Sequence, residues 1–320
     1  MNRHARRLLL VVLWLVVADV FVPPLLQRAE HARYERGGAF RFENSDLFAL
    51  GPMVRYLREH PHGDRPRAVF LGNSVVFGYG IDAREALPAQ FERFARGRRV
   101  FNAAVNGQEM GDSLLAGKAI IDSVDTLFVQ VIPHHDAARP ILGKLLPVSS
   151  EDAQRYGLEQ FDPIEARLRS ILGRVWRLYA SNDRLQAAWF GTSTRQFLYL
   201  HKRNWIVRRA APPPISPHIS PVNLVSPRNG TGDPTSISQS MVALADVAAA
   251  HRKRVVFLHF QRAGDALDPN VAGAFNARYA PHAELVIVDV PPALYSDRQH
   301  LTPDGAASVA AALAAHEGLQ

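Results

Sequence analysis

Between residues 67 and 316 the chain alternates short apolar runs with stretches of helical period, and this alternation restricts the architecture more than any other feature. "RAVFL" (67–71), "RRVFNAAV" (98–105), "TLFVQVIP" (126–133), "RVVFLHF" (254–260) and "ELVIVDV" (284–290) are rich in β-branched and aromatic residues. Runs this short and this apolar read as strands buried on both faces. The segments between them read as helices. Leu87, Phe91 and Phe94 recur at helical spacing in 82–97, with Asp82 and Glu85 placed as a capping box. Further helices are predicted around 111–122, 236–251 and 269–279. A last one covers 302–316, with Thr302 as N-cap and Pro303 at its first position. Strands joined through helices have right-handed crossovers, so the pattern predicts an α/β fold with a five-stranded parallel sheet covered on both faces.

The alternation lapses over about 140–236, which reads as an insertion. Its first part, including 163–205, has helical character with apolar and aromatic residues along one side. Such a stripe is ordinarily core packing; a lid, a substrate surface or a membrane-facing patch is the alternative. Its second part, "APPPISPHISPVNLVSPRNGTGDP" (211–234), reads as a proline-rich loop. The sequon at Asn229 within it is too short a pattern to carry weight.

Ahead of the alternating region lies "MNRHARR" and then an apolar stretch, 8–26, interrupted by Asp19 and a proline pair. As a helix this stretch would rise about 28 Å, close to the hydrocarbon thickness of a bilayer. Arg3, Arg6 and Arg7 before it favour a cytoplasmic N-terminus with the remainder exported. A cleaved signal peptide competes, because Val16 and Ala18 have small-residue spacing before Asp19. The apolar character continues past that point and favours an uncleaved anchor. The organisation expected is therefore an anchor at 1–27, a connector at 28–66 with a helix near 45–60, and a domain at 67–316.

Composition narrows the chemistry. The net charge of +7 comes mainly from arginines that are scattered, without a zinc-finger or RNP pattern, so nucleic acid is not an expected partner. Without cysteine there are no disulfides, no thiol catalysis and no cysteine-ligated metal. Gly78-Tyr79-Gly80 lacks the third glycine of a dinucleotide fingerprint, and Val76 stands where an α/β-hydrolase elbow needs glycine.

Ligands of open parallel sheets bind beyond the carboxyl ends of the strands. Strand 1 ends there in Gly72-Asn73-Ser74, and strand 2 leads to Asn102, Asn106 and Gly107. Strand 3 leads to Pro133-His134-His135-Asp136, and strand 5 runs into "YSDRQHLTPDG" with Asp297 and His300. Serine, histidine and aspartate can form a relay in which the imidazole takes the hydroxyl proton and the carboxylate orients the ring. Asp-x-x-His spacing in a turn can set the carboxylate under one ring nitrogen while the other faces the serine. The backbone N–H groups of Ser74 and Gly107 are the natural donors for a developing oxyanion. Read otherwise, Ser74 is a turn serine. His134, His135 and Asp136 could bind metal, but adjacent histidines rarely converge and no distant ligand motif accompanies them.

These segments resemble, in order, the blocks of the SGNH (GDSL-type) hydrolase superfamily, over roughly 67–135 and 237–316. Gly72-Asn73-Ser74 resembles the first block, with asparagine in place of the common aspartate. "FNAAVNGQEMGDS" (101–113) resembles the second and "SDRQHLTPDGA" (296–306) the last. The resemblance implies a three-layer flavodoxin-like fold with Ser74 as nucleophile, His300 as general base, Asp297 orienting His300, and Gly107 as an oxyanion donor. The third block departs from the family: "IPHHDA" stands where Gly-x-Asn-Asp is usual, with His135 nearest the asparagine that completes the oxyanion hole. The same resemblance implies a bacterial, single-pass inner-membrane enzyme with its catalytic domain in the periplasm or outside the cell. It would need no cofactor or metal. It would act on O-acyl esters of envelope glycans as esterase or acyltransferase. A lipid-ester hydrolase and a non-catalytic envelope binding protein retaining the fold are the alternatives.

Overall fold

The strand β1 (Arg67–Leu71) is buried at every position, and its side chains divide by parity: Ala68 and Phe70 join one core cluster, Val69 and Leu71 another. The same division runs through β2 (Arg99–Asn102), β3 (Thr126–Gln130), β5 (Arg254–Gln261) and β6 (Ala283–Asp289). The computed structural model describes residues 2–36, 50–60, 65–82, 84–104, 108–131, 171–172, 175–180, 219–232, 237–261, 266–297 and 299–319.

A sheet that is apolar on both sides needs a layer on each. One side is covered by α2 (Leu50–Glu59), α5 (Met110–Ile120), and the helices at Gln239–Ala250 (α7) and Pro269–Tyr279 (α8). The other is covered by α3 (Ser74–Phe77), α4 (Leu87–Phe94) and a helix at Pro303–His316 (α9). On this second side Phe70 stacks on Phe128 at 4.6 Å between centroids, and Phe91 of α4 meets both rings edge-on at 5.3 and 5.0 Å. Truncating any one of these fully buried rings to alanine should cost about 3–5 kcal/mol.

The strand order is β2-β1-β3-β5-β6-β4, and the first five are mutually parallel. The sheet therefore has six strands and is mixed, where five parallel strands were expected. The additional strand, β4 (Asn223–Val225), runs antiparallel along β6 from within the stretch expected to be a loop. Three residues between Pro221 and Pro227 are too few to show a period, and prolines confine a strand to a sheet edge, where β4 lies. Asn276 of α8 fastens this edge: its amide donates to the carbonyls of Pro227 and Leu285 and accepts from the Leu285 N–H.

Other expectations shift by a turn. Asp82 and Glu85 bond as half a capping box, the Asp82 N–H donating to the Glu85 carboxylate at 3.0 Å. The helix they precede nevertheless starts later, at Leu87 with Pro88 in its first turn. Thr302 and Pro303 cap α9 as expected, Thr302 Oγ1 accepting from the Gly305 N–H at 3.0 Å.

At the N-terminus α1 (Arg3–Arg36) contains one span, Arg3–Ala29, long and apolar enough to cross a membrane, with a mean hydropathy of 2.5. Pro23 and Pro24 lie inside the helix. A short helix, α6 (Arg177–Ala180), packs against it from the insertion, and α2 touches it through Gln27 and Glu59.

Candidate active site

Strand order reverses at β1, whose partners are β2 on one side and β3 on the other, and the crevice this opens lies beyond the carboxyl ends of β1 and β3. Gly72 leaves β1 there with φ +150°, and a Cβ on it would stand 2.6 Å from Cβ of Gln130 at the end of β3. Only glycine fits both the conformation and the space. The chain then makes a single helical turn, α3, beginning at Ser74. Asn73 caps it, its Oδ1 accepting from the Val75 N–H at 3.3 Å, so asparagine here performs the work of an N-cap. Gly78 ends it in the left-handed conformation with its N–H donating to the Ser74 carbonyl.

The amides of this turn are almost all engaged. Gln130 Oε1 accepts from the N–H of Asn73 at 3.2 Å and of Val76 at 3.3 Å, Asn73 Oδ1 takes that of Val75, and the Asn73 carbonyl takes that of Phe77. Among the described residues no acceptor meets the Ser74 N–H. That amide is thus the donor of the turn left for a ligand. Gln130, itself buried, is the residue that arranges this, and nothing local in the sequence marks it. Asn102, buried at the end of β2, donates to the Phe77 carbonyl at 3.5 Å and accepts from the Ala104 N–H, tying the second strand end to the same turn.

The second half of the site comes from the loop after β6. A 3₁₀ turn at Pro292–Leu294 and a bridge between Tyr295 and Leu301 close a small loop over 295–301. Within it Asp297 Oδ1 accepts the N–H groups of Gln299 and His300, each at 2.7 Å, and Oδ2 accepts from His300 Nδ1 at 2.7 Å. The hydrogen bond from His300 and these two backbone donors hold the carboxyl of Asp297 well below the usual range, at about 2. An ionised carboxylate on Nδ1 sets the tautomer: Nδ1 carries the proton and Nε2 is the acceptor. His300 Nε2 lies 3.0 Å from Ser74 Oγ, across 226 positions of sequence. Tyr79, whose N–H donates to the Ser74 carbonyl, sets its ring 4.8 Å from the imidazole at 39°, with 46% of the side chain's residue surface open to solvent.

The structure thus brings together Ser74, His300 and Asp297, at the end of the sheet where the sequence put them. A hydroxyl, an imidazole and an ionised carboxylate connected in that order can move a proton from oxygen to nitrogen while the ring stays oriented. Asn106, Gly107, Pro133, His134, His135 and Asp136 lie outside the described residues. Gln130 and Tyr79 are additions that the sequence did not single out as site residues.

A second group of ligand-type residues, Glu284, His316 and Glu317, has donor atoms within 4.8 Å of one another. The Arg254 guanidinium lies between the carboxylates, 2.7 Å from Glu284 and 2.9 Å from Glu317, and supplies the positive charge a metal would bring. This group is a charge network.

No family model matches the chain, and no curated protein is similar to it.

Proposed function

We propose that the protein is a membrane-anchored serine ester hydrolase or acyltransferase of the SGNH type, acting on O-acyl esters, chiefly O-acetyl, of cell-envelope glycans. The observation that carries the reading is the contact of Ser74 Oγ with His300 Nε2, backed by Asp297 on Nδ1. The order of the five parallel strands, β2-β1-β3-β5-β6, supports it, being the order of a flavodoxin-like doubly wound sheet.

In the proposed reaction Ser74 Oγ gives its proton to His300 Nε2 as it bonds to the ester carbonyl carbon. The carbonyl oxygen becomes an oxyanion, which the Ser74 N–H receives together with the Gly107 N–H, by resemblance, and the His135 ring in place of the family's asparagine. Collapse breaks the bond from carbon to the alcohol oxygen, and the alcohol leaves with the proton from Nε2. Water, or an acceptor hydroxyl, then gives its proton to Nε2 as its oxygen bonds to the acyl carbon. The bond from carbon to Ser74 Oγ breaks, Oγ takes the proton back from Nε2, and an acid or a new ester is released. Asp297 remains ionised throughout and steadies the imidazolium. The single apolar span of α1 supports tethering to the inner membrane, and the basic N-terminus supports a periplasmic or external domain.

The lipid-ester reading has one observation in its favour: Ile171, Leu172, Val175 and Trp176 are exposed next to α6, which packs on α1. A fluorophosphonate should label the full-length protein at Ser74, with hydrolysis of acetylated glycan fragments exceeding that of long-chain lipid esters. No labelling, and no hydrolysis of either ester, would leave the non-catalytic reading standing. His135→Ala should lower turnover by about a hundredfold if its ring completes the oxyanion hole.

A further inference from the structure

We infer that Ile171, Leu172, Val175 and Trp176, with the adjoining helix α6, form a second membrane contact, seated in the outer half of the bilayer against α1; this rests on the anchoring role proposed for α1. Four large apolar side chains, Ile171, Leu172, Val175 and Trp176, are exposed here, Val175 to 81%. The Trp176 N–H donates to the Leu172 carbonyl at 2.7 Å, which sets these two residues one helical turn apart. Positions i, i+1, i+4 and i+5 of such a turn share one face. A face of this kind is not stable in water by itself and needs an apolar occupant.

Two observations identify that occupant as lipid. The first is position. The Leu178 N–H donates to Asp19 Oδ1 of α1 at 2.6 Å, which fixes the level of the turn along the helix. Asp19 follows Leu8 by eleven residues, a rise of about 17 Å. A hydrocarbon layer of about 30 Å entered at Leu8 therefore still surrounds Asp19. Anything beside Asp19 sits within the layer too. The second is continuity: residues 8–17 of α1 are themselves uncovered, from Leu8 through Val17, so the turn extends an apolar surface already open to the same medium. The hydrogen bond also answers a difficulty of the span. A carboxylate inside the hydrocarbon is costly unless it has a partner, and the Leu178 amide supplies one without a second charge.

The chain contains no cysteine, so single probes can be placed without background. Val175→Cys and Ile171→Cys, labelled with bimane in the full-length protein in phosphatidylcholine/phosphatidylglycerol vesicles, should emit at short wavelength. Both should be quenched at least twofold by doxyl-labelled lipids. Val12→Cys in α1 reports the anchor itself, and Ala250→Cys, exposed on α7, should remain in water. Quenching at residue 12 without quenching at 171 or 175 would overturn the inference while leaving the anchor intact. Absence of quenching at all three would overturn the anchor reading, and the inference with it. Probes at 171 and 175 that are shielded only at high protein-to-lipid ratio would assign the face to a second copy of the chain and overturn the lipid assignment.

Discussion

Two of the histidine–carboxylate pairs in the sheet domain do different work. Asp297 and His300 are three residues apart in a surface loop; Glu284 and His316 are joined across 32 residues, from β6 to α9. Both carboxylates are held at about 2, for different reasons. Burial by itself would raise Glu284, and the hydrogen bonds from His316 and Ser226, with the charges of His316 and Arg254, more than reverse that. Asp297 is exposed, and hydrogen bonds from His300 and two backbone amides suffice. What separates the pairs is the rest of the imidazole's surroundings. His300 keeps one nitrogen for the carboxylate and turns the other to Ser74, whereas Glu284 and Glu317 spend their charge on Arg254. A histidine–carboxylate pair becomes a relay only when the second ring nitrogen meets a group with a proton to give.

The largest expected effects test that distinction directly. Ser74→Ala or His300→Ala should lower ester turnover by roughly a thousandfold or more, whereas His316→Ala should leave it within about twofold. The double variant of Ser74 and His300 should be little worse than either single one, because the groups act as a unit. Additive losses in steady-state kinetics would break the comparison. Asp297→Asn should cost about 10²–10⁴ in turnover, since an amide no longer selects the Nδ1–H tautomer. Thermal unfolding of that variant should barely change, the side chain being mostly in solvent.

Next comes Gln130→Leu, which removes the acceptor for two N–H groups beside Ser74. Turnover should fall roughly tenfold with KM little changed, alongside a stability loss of about 1–3 kcal/mol. A loss of stability with unaltered turnover would make Gln130 merely structural. On the other pair, Glu284→Gln should reduce unfolding free energy in urea by about 2 kcal/mol and leave activity alone.

The smallest effect is in the pH dependence. Hydrogen bonding to Glu284 raises His316, so its contribution to stability is complete below the ordinary histidine range and fades as pH rises through the raised value. The difference in Tm between the native protein and His316→Ala should therefore shrink above neutrality. The depressed Glu284 carboxyl works in the opposite sense: its contribution is present above about 4.5 and is lost as pH falls toward about 2. The Asp297 carboxyl is held at about 2 as well, so it stays charged as pH falls to about 4 and gives turnover no acid limb in the ordinary carboxylate range. An acid limb in that range that is lost in Asp297→Asn would contradict the depressed carboxyl.

Much of the site was legible because its chemistry is written in short spacings. Gly72-Asn73-Ser74 at the end of an apolar run and Asp297-x-x-His300 in a polar turn each make their own hydrogen bonds, within two or three residues. The parallel sheet was legible for a similar reason, since strands buried on both faces are continuous apolar runs. By contrast, β4 is three residues of ordinary composition and becomes a strand only because β6 offers it an edge. Gln130 is one polar residue ending a strand, and its role exists only because β1 and β3 are neighbours in the sheet. Arg254, at the start of β5, joins Glu284 to Glu317 in the same way. Local spacing in the chain decides which groups can bond to their near neighbours. The 3.0 Å between Ser74 and His300 required the packing of strands far apart in sequence, because only the shared carboxyl edge of the sheet brings those two turns to one place.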